Sequence, residues 1–220
     1  MKKLMAAVAA LSLAMPAMAE PEITRWNTHH SMGCMLVGDC TTGVIKVTNV
    51  EELKAQLPDL DFGPDREEEL NDLITQMNRI GIGVFVADEK YFVPRTRGIY
   101  HTVENNFFLN RKYMTDPNTV VNTTRHEGWH AAQDCMAGSI KNNLIAIIRN
   151  EEDVPMIWRE MAERTYPASA VPWEAEATWA GKTEGMTMKA LKSCAAGTMW
   201  TDYKPTPLTL KWLEEEGFIK

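Results

Sequence analysis

The chain has 220 residues, of which 45% are hydrophobic, and a formal net charge of −7 at neutral pH. This length is sufficient for one substantial core, and the acidic balance argues against nucleic acid or an anionic membrane as the partner. Beyond the N-terminus, no stretch approaches the ~18 consecutive apolar residues that a membrane span needs.

The N-terminus has the three parts of a secretory signal peptide. It begins with the basic residues Lys2 and Lys3, continues with an apolar stretch and ends with the cleavage pattern Ala17-Met18-Ala19. We therefore expect residues 1–19 to be removed, residues 20–220 to form a single domain, and the protein to be periplasmic or secreted. An N-terminal anchor that stays uncleaved is the alternative.

All four cysteines follow this segment, and in an oxidising compartment an even number favours two disulfides. Cys34 and Cys40 flank the turn-like sequence MLVGD, so we expect them to pair with each other. Cys135 and Cys194 would then form the second bond. A four-cysteine zinc site is the alternative, but the chain contains no C-x-x-C pair.

The first part of the chain predicts short, mixed elements. Residues 20–43 have no hydrophobic periodicity and predict an irregular N-terminal arm. A strand is predicted over 44–48, a small helix over 50–57 and a longer helix over 64–80. The longer helix begins with Pro64 and several acidic residues, which favour a helix N-terminus.

The remaining elements predict an α+β fold. Strands are predicted over 82–87, 91–93, 98–103 and 107–110, with Asn105-Asn106 as a two-residue turn between the last two. A long helix begins at Pro117 and ends at Gly138, and further helices are predicted over 139–149, 155–165, 172–195 and 207–216. The predicted fold is thus a small antiparallel or mixed sheet with helices, followed by a mostly helical C-terminal half.

The helix that begins at Pro117 contains the motif H-E-x-x-H, from His126 to His130. Four-residue spacing puts both imidazoles on one side of a helix, where they can bind the same zinc ion. Glu127 lies ~100° around the helix from His126, so it can reach a water molecule beside the metal without binding the metal itself. The alternative is a pair of ordinary surface histidines beside a solvated carboxylate.

A catalytic zinc site needs a third protein ligand. The extension H-E-x-x-H-x-x-G-x-x-H is absent, because Gln133 and Met136 stand where Gly and His would be. The predicted helix that follows Pro172 instead offers two carboxylates, Glu174 and Glu176. They lie ~160° apart around a helix, so only one of them can face a given ion.

With these residues the chain resembles the gluzincin-type zinc metallopeptidases. That family pairs H-E-x-x-H with a downstream helix carrying E-x-x-A, which Glu174-Ala175-Glu176-Ala177 matches. The sequence GIYHTVENNFFLN is similar to the strand pair whose edge strand aligns the substrate in the family. Thr178 departs from the pattern, since many relatives have Asp there.

The resemblance implies a zincin-like fold and a zinc-dependent peptidase that acts on a peptide or protein. His126, His130 and Glu174 would bind Zn²⁺, and Glu127 would be the general base. Glu176 remains the alternative third ligand, and both carboxylates could instead be surface charges. Relatives stabilise the oxyanion with Tyr or His; by chain position alone the candidates here are Tyr100, His101 and Tyr166.

Two functions of other classes remain open at this point. One is a zincin-fold binding or structural protein of the cell envelope that has lost catalytic activity. The other is an exported assembly factor in which the motif is coincidental. Metal content and the effect of replacing Glu127 distinguish these functions from a peptidase.

Overall fold

The structure is a computed structural model that describes residues 25–138 and 144–220, with side chains from residue 31 onward. The expected signal peptide, residues 1–19, lies outside the described residues. The helices of the described chain are α1 (Arg25–Leu36), α2 (Val50–Gln56), α3 (Pro64–Arg79), α4 (Pro117–Met136), α5 (Met156–Thr165), α6 (Val171–Lys182), α7 (Met186–Ala196), α8 (Met199–Asp202) and α9 (Pro207–Glu215). The strands are β1 (Val44–Val47), β2 (Gly83–Ala87), β3 (Gly98–His101) and β4 (Asn106–Asn110).

The four strands form one mixed sheet in the order β1-β2-β4-β3. β2 is antiparallel to β1 and parallel to β4, and β4 is antiparallel to β3. Beyond β4 the described chain contains helices and no strand. The predicted α+β class, with a small sheet followed by a mostly helical C-terminal half, is therefore confirmed.

The sheet separates two apolar clusters. Alternate residues of a strand point to opposite faces, and accordingly Val84 and Val86 lie in the main core while Phe85 faces the other side. The main core also contains the apolar faces of α3, α4 and α7, with Trp129 fully buried at its centre. The smaller cluster joins Met35 of α1 to the opposite face of the sheet.

The long helix α4 lies in the middle of the fold and packs against α3, α6, α7 and β3. It begins as predicted: the side chain of Asp116 accepts a hydrogen bond from the Thr119 amide at 2.9 Å, and Pro117 is the first helical residue. Gly128 allows α7 to approach closely, because a Cβ there would lie 3.0 Å from Thr187 Cγ2.

Two predictions in the sheet region are wrong. The predicted strand over 91–93 is a 3₁₀ turn over Glu89–Tyr91, since this short apolar run is stopped by Pro94 and packs Tyr91 and Phe92 into the smaller cluster. The connection between β3 and β4 spans residues 102–105 rather than two residues. Asn105 has the positive φ (52°) expected of the turn, but Asn106 already belongs to β4.

Three other elements also differ from prediction. Residues 25–36 of the predicted irregular arm form α1. The predicted helix over 139–149 is not present over residues 144–149, whose amides instead bond to other elements: Ala146 N donates to Gln133 O. The predicted helix over 172–195 is two helices, because Gly185 takes a left-handed conformation (φ 73°) between α6 and α7.

Two disulfides join Cys34 to Cys40 and Cys135 to Cys194, which is the pairing that the sequence favours. The second bond links α4 to α7 across 59 residues of sequence. Two disulfides are compatible with an exported protein. Among the described helices, none is both long and apolar enough to cross a lipid bilayer.

Candidate metal centre

Three potential metal ligands converge where α4 crosses α6. His126 and His130 are one turn apart on α4, and their Nε2 atoms lie 3.2 Å from each other. Glu174, from the first turn of α6, brings its Oε2 atom to 3.3 Å from His126 Nε2 and 3.6 Å from His130 Nε2. The fold thus brings together two residues from the motif and the carboxylate that the resemblance implies.

The spacing of these atoms fits a zinc ion. Zn²⁺ with tetrahedral bonds of about 2.0–2.1 Å holds its ligand atoms roughly 3.3–3.4 Å apart. The three separations of 3.2, 3.3 and 3.6 Å lie around that value. Glu174 Oε2 is buried and forms no hydrogen bond within the described structure, an arrangement that a bound cation would satisfy.

Gln133 determines which nitrogen of His130 faces the other ligands. Its side-chain NH₂ donates to Trp173 O at 3.1 Å and to Glu176 Oε2 at 2.8 Å, so its oxygen faces His130 Nδ1 at 2.8 Å. An amide oxygen only accepts hydrogen bonds, so Nδ1 must carry the proton. The lone pair of neutral His130 therefore lies on Nε2, directed at Glu174 and His126.

Glu176, the alternative ligand, faces away from the imidazoles and is fully buried. Its carboxylate accepts hydrogen bonds from Trp129 Nε1 at 3.1 Å, from Gln133 Nε2 and from the amides of Ile148 and Arg149. Burial raises the pKa of Glu176 to about 7, although these four donors act in the opposite direction. It joins α6 to α4 and to the segment that follows α4.

Glu127 lies beside the three ligands, between α4 and the edge strand β3. It is buried, and a Cβ on Gly98 would lie 2.9 Å from its Oε1 atom, so glycine is needed for this close approach. Burial raises the pKa of Glu127, while the two imidazoles and the Tyr100 amide lower it. The net increase moves this carboxylate towards the range in which a general base works near neutral pH.

The charges of the cluster stabilise one another. Burial would raise the pKa of Glu174, but the imidazoles of His130 and His126 hold it well below its usual range. Burial likewise opposes a charge on His130, yet Glu174 and Glu127 raise its pKa to about 9. A proton and a metal ion therefore compete for the same nitrogen, and metal binding would release a proton.

Tyr166 and Asp134 complete the surroundings of the site. Burial and the nearby carboxylates of Glu174 and Glu127 raise the pKa of Tyr166, so its hydroxyl remains a hydrogen-bond donor at neutral pH. Asp134 lies one turn beyond His130 on α4, where it accepts a hydrogen bond from Tyr100 Oη at 2.7 Å. Burial raises the pKa of Asp134 to about 7, and its Oδ1 atom has no partner within the described structure.

The cluster lies on the floor of an open cleft of about 780 Å³. One wall consists of β3 and the loop before it, and the other consists of α5 and α6. Of the three candidates for oxyanion stabilisation, Tyr100 and Tyr166 line this cleft. The hydroxyl of Tyr100 is bonded to Asp134, whereas Tyr166 interacts electrostatically with the carboxylates of Glu174 and Glu127.

Comparison of the chain with protein-family models, with curated proteins and with solved structures finds no match. Sequence reasoning missed the part played by Gln133 and the anchoring part of Glu176. The spacing of His130 and Gln133, three residues apart on one helix face, was the available signal for the first.

Proposed function

We propose that the protein is a zinc-dependent peptidase with a zincin-like arrangement of the site. His126, His130 and Glu174 would hold the ion, and Glu127 would be the general base. The observation that supports this most strongly is the set of three ligand-atom separations between 3.2 and 3.6 Å, contributed by two helices. The direction of the His130 lone pair supports the same site independently.

When bound, zinc would lower the pKa of a water molecule towards ~7 and polarise a peptide carbonyl. The residues of the chain supply the remaining parts of the reaction. Glu127 accepts the proton of the attacking water on its carboxylate and passes it to the nitrogen of the leaving amine. Tyr166 donates a hydrogen bond to the carbonyl oxygen as its negative charge develops.

The substitution Glu127→Gln tests the peptidase proposal. It removes the base but keeps the size of the side chain, so the variant should retain zinc and lose cleavage of a panel of unfolded proteins by a factor of about 10²–10⁴. The matched control is Glu68→Gln, an exposed position on α3. Zinc content is measured on the same samples by elemental analysis.

The outcomes distinguish the alternatives. One zinc per chain with cleavage that depends on Glu127 supports the proposal. One zinc per chain without such cleavage supports a zinc-binding protein that has no peptidase activity. If the protein binds no zinc even at micromolar free metal, the peptidase and the inactive zinc-binding protein are both contradicted. That result favours an exported assembly factor in which the motif is coincidental.

The proposal includes export, with residues 1–19 removed. The support is the basic start, the apolar stretch and the A-x-A pattern of the N-terminus, together with the two disulfides. N-terminal sequencing of protein recovered outside the cytoplasm should begin at Glu20. A chain recovered with Met1 intact would support an uncleaved anchor instead.

A further inference from the structure

We infer that the cleft binds a peptide with a carboxylate on one side of the scissile bond and an apolar side chain on the other. The inference rests on the proposed peptidase function and specifies its substrate class. It depends on how charged and apolar side chains of the cleft walls are distributed along the length of α4, which lines the cleft from Asn122 to His130.

Two glycines, one on each wall of the cleft, approach α4 so closely that a Cβ on either would contact it. A Cβ on Gly98 of β3 would lie 2.8 Å from Thr123 Cγ2 and 2.9 Å from Glu127 Oε1, and one on Gly181 of α6 would lie 3.0 Å from Asn122 O and 3.2 Å from His126 Cβ. Arg97, which precedes Gly98, and Lys182, which follows Gly181, are therefore on opposite walls of the cleft, beside the part of α4 that lies before His130. Both are exposed and line the cleft.

Arg95, two residues before Arg97, is a third exposed cation that lines the cleft. Within the described chain, none of the three cations forms an ion pair, although Arg97 contributes at longer range to lowering the pKa of Asp116. The acidic residues that line the cleft are Glu127 and Glu174, which belong to the metal centre. A cationic entrance is thus present on a chain whose net charge is −7.

The backbone at Arg95 is a second, independent observation. Thr96 N donates to Val93 O at 3.1 Å, which closes a turn, and Arg95 in this turn has φ 76°. Glycine is the favoured residue at such a position, because other residues are strained there. Strained residues of this kind concentrate at functional sites, and Arg95 is one of the residues that line the cleft.

The opposite end of the cleft is apolar. Trp173 lies beside Gln133, one turn past His130, since its carbonyl accepts a hydrogen bond from that amide. Ile145 and Met161 line the cleft with it, and the Met161 side chain is 43% exposed. An exposed methionine and a half-buried tryptophan on a cleft wall present the kind of surface that binds an apolar side chain.

A pair of labelled decapeptides tests the inference by binding. The two peptides share an apolar residue and differ by Glu or Gln at one position, which is moved along the peptide in successive pairs. The Glu127→Gln protein is used so that the peptides survive. At low salt we expect the best Glu peptide to bind about tenfold more tightly than its Gln partner, as three exposed cations contribute about twofold each.

Substitutions connect this preference to the cleft. Replacing Arg97 and Lys182 together with Gln, and Arg95 with Gly, should reduce the Glu-to-Gln ratio to about one. Lys211→Gln on α9, an exposed cation outside the cleft, is the matched control and should leave the ratio unchanged. Peptides with an amidated C-terminus determine whether the bound carboxylate is a side chain or the chain end.

The results separate this inference from the proposed function. A Glu-to-Gln ratio of one in all pairs, with free and amidated ends alike, contradicts the inference even if wild-type protein cleaves the peptides. A tenfold ratio that the triple substitution abolishes supports the inference, even if no cleavage depends on Glu127. If Lys211→Gln lowers the ratio as much as the cleft substitutions do, the preference arises from overall charge and the inference is wrong.

Discussion

The substitution Gln133→Met tests how the metal centre is oriented. Methionine has nearly the same length as glutamine, but its thioether is only a weak acceptor and does not replace the hydrogen bond from His130 Nδ1 that the structure contains at 2.8 Å. Loss of a partner that orients a metal-binding histidine reduces metal affinity by about 10–100-fold, or about 1.4–2.7 kcal/mol. We expect zinc affinity to fall within that range.

The same substitution should also lower stability. It removes the donor that lies 3.1 Å from Trp173 O and 2.8 Å from Glu176 Oε2, although Glu176 Oε2 keeps the hydrogen bond from Trp129 Nε1. Loss of a hydrogen bond costs about 0.5–1.5 kcal/mol, or about 1.5–3 kcal/mol when a charged group accepts it, so the free energy of unfolding should fall by a few kcal/mol. Zinc affinity is measured by competition with a chromogenic chelator, at a temperature where circular dichroism shows the variant to be folded.

Two further variants separate orientation from stability. Gln133→Glu keeps an acceptor for His130 Nδ1, so it should bind zinc better than Gln133→Met. It also places a second carboxylate next to Glu176, so at neutral pH it should be less stable than the wild type. The control is Gln76→Met on α3, because the side-chain oxygen of Gln76 makes no hydrogen bond to any described residue. A folded Gln133→Met protein with unchanged zinc affinity would refute the argument.

Three other substitutions test the fold. The folded pKa of Asp134 is raised to about 7 from its ordinary value of 3.8, so its stabilising effect is present below pH 4 and lost as pH rises through 7. Asp134→Asn should therefore be more stable than wild type by about 2–4 kcal/mol at pH 8 and similar at pH 4 in urea unfolding; equal differences at both pH values contradict this. Replacing Cys135 and Cys194 with Ala should cost about 4 kcal/mol, because the bond closes 59 residues of sequence, and an unchanged melting temperature argues against the bond. Arg95→Gly should raise stability by about 1 kcal/mol by relieving a positive φ, whereas a destabilised variant would mean that the side chain contributes packing.

The elements that the sequence predicts well are those with local signals. Asp116 and Pro117 mark the start of α4 through contacts with residues no more than three positions away. His126 and His130 share a face because residues four apart do so in any α-helix. The apolar face of α3 is likewise periodic and is buried as expected. These features depend on neighbours in the chain, which a sequence displays directly.

The features that the sequence could not provide depend on tertiary contacts. Glu174 and Glu176 are equally acidic and two residues apart, and only the packing of α6 on α4 assigns one to the imidazoles and the other to buried donors. Two of those donors are the amides of Ile148 and Arg149, in a segment whose apolar composition predicts a helix. Backbone amides that bond to a side chain of another element leave no pattern in the sequence.

The proposed function requires that α4 and α6 together bind one zinc ion. Diffraction from crystals grown with zinc, collected on either side of the zinc absorption edge, locates such an ion directly. We expect one anomalous peak at about 2.0–2.2 Å from His126 Nε2, His130 Nε2 and Glu174 Oε2. A cleft without such a peak, or a peak bound by other residues while Glu174 points away, would contradict it.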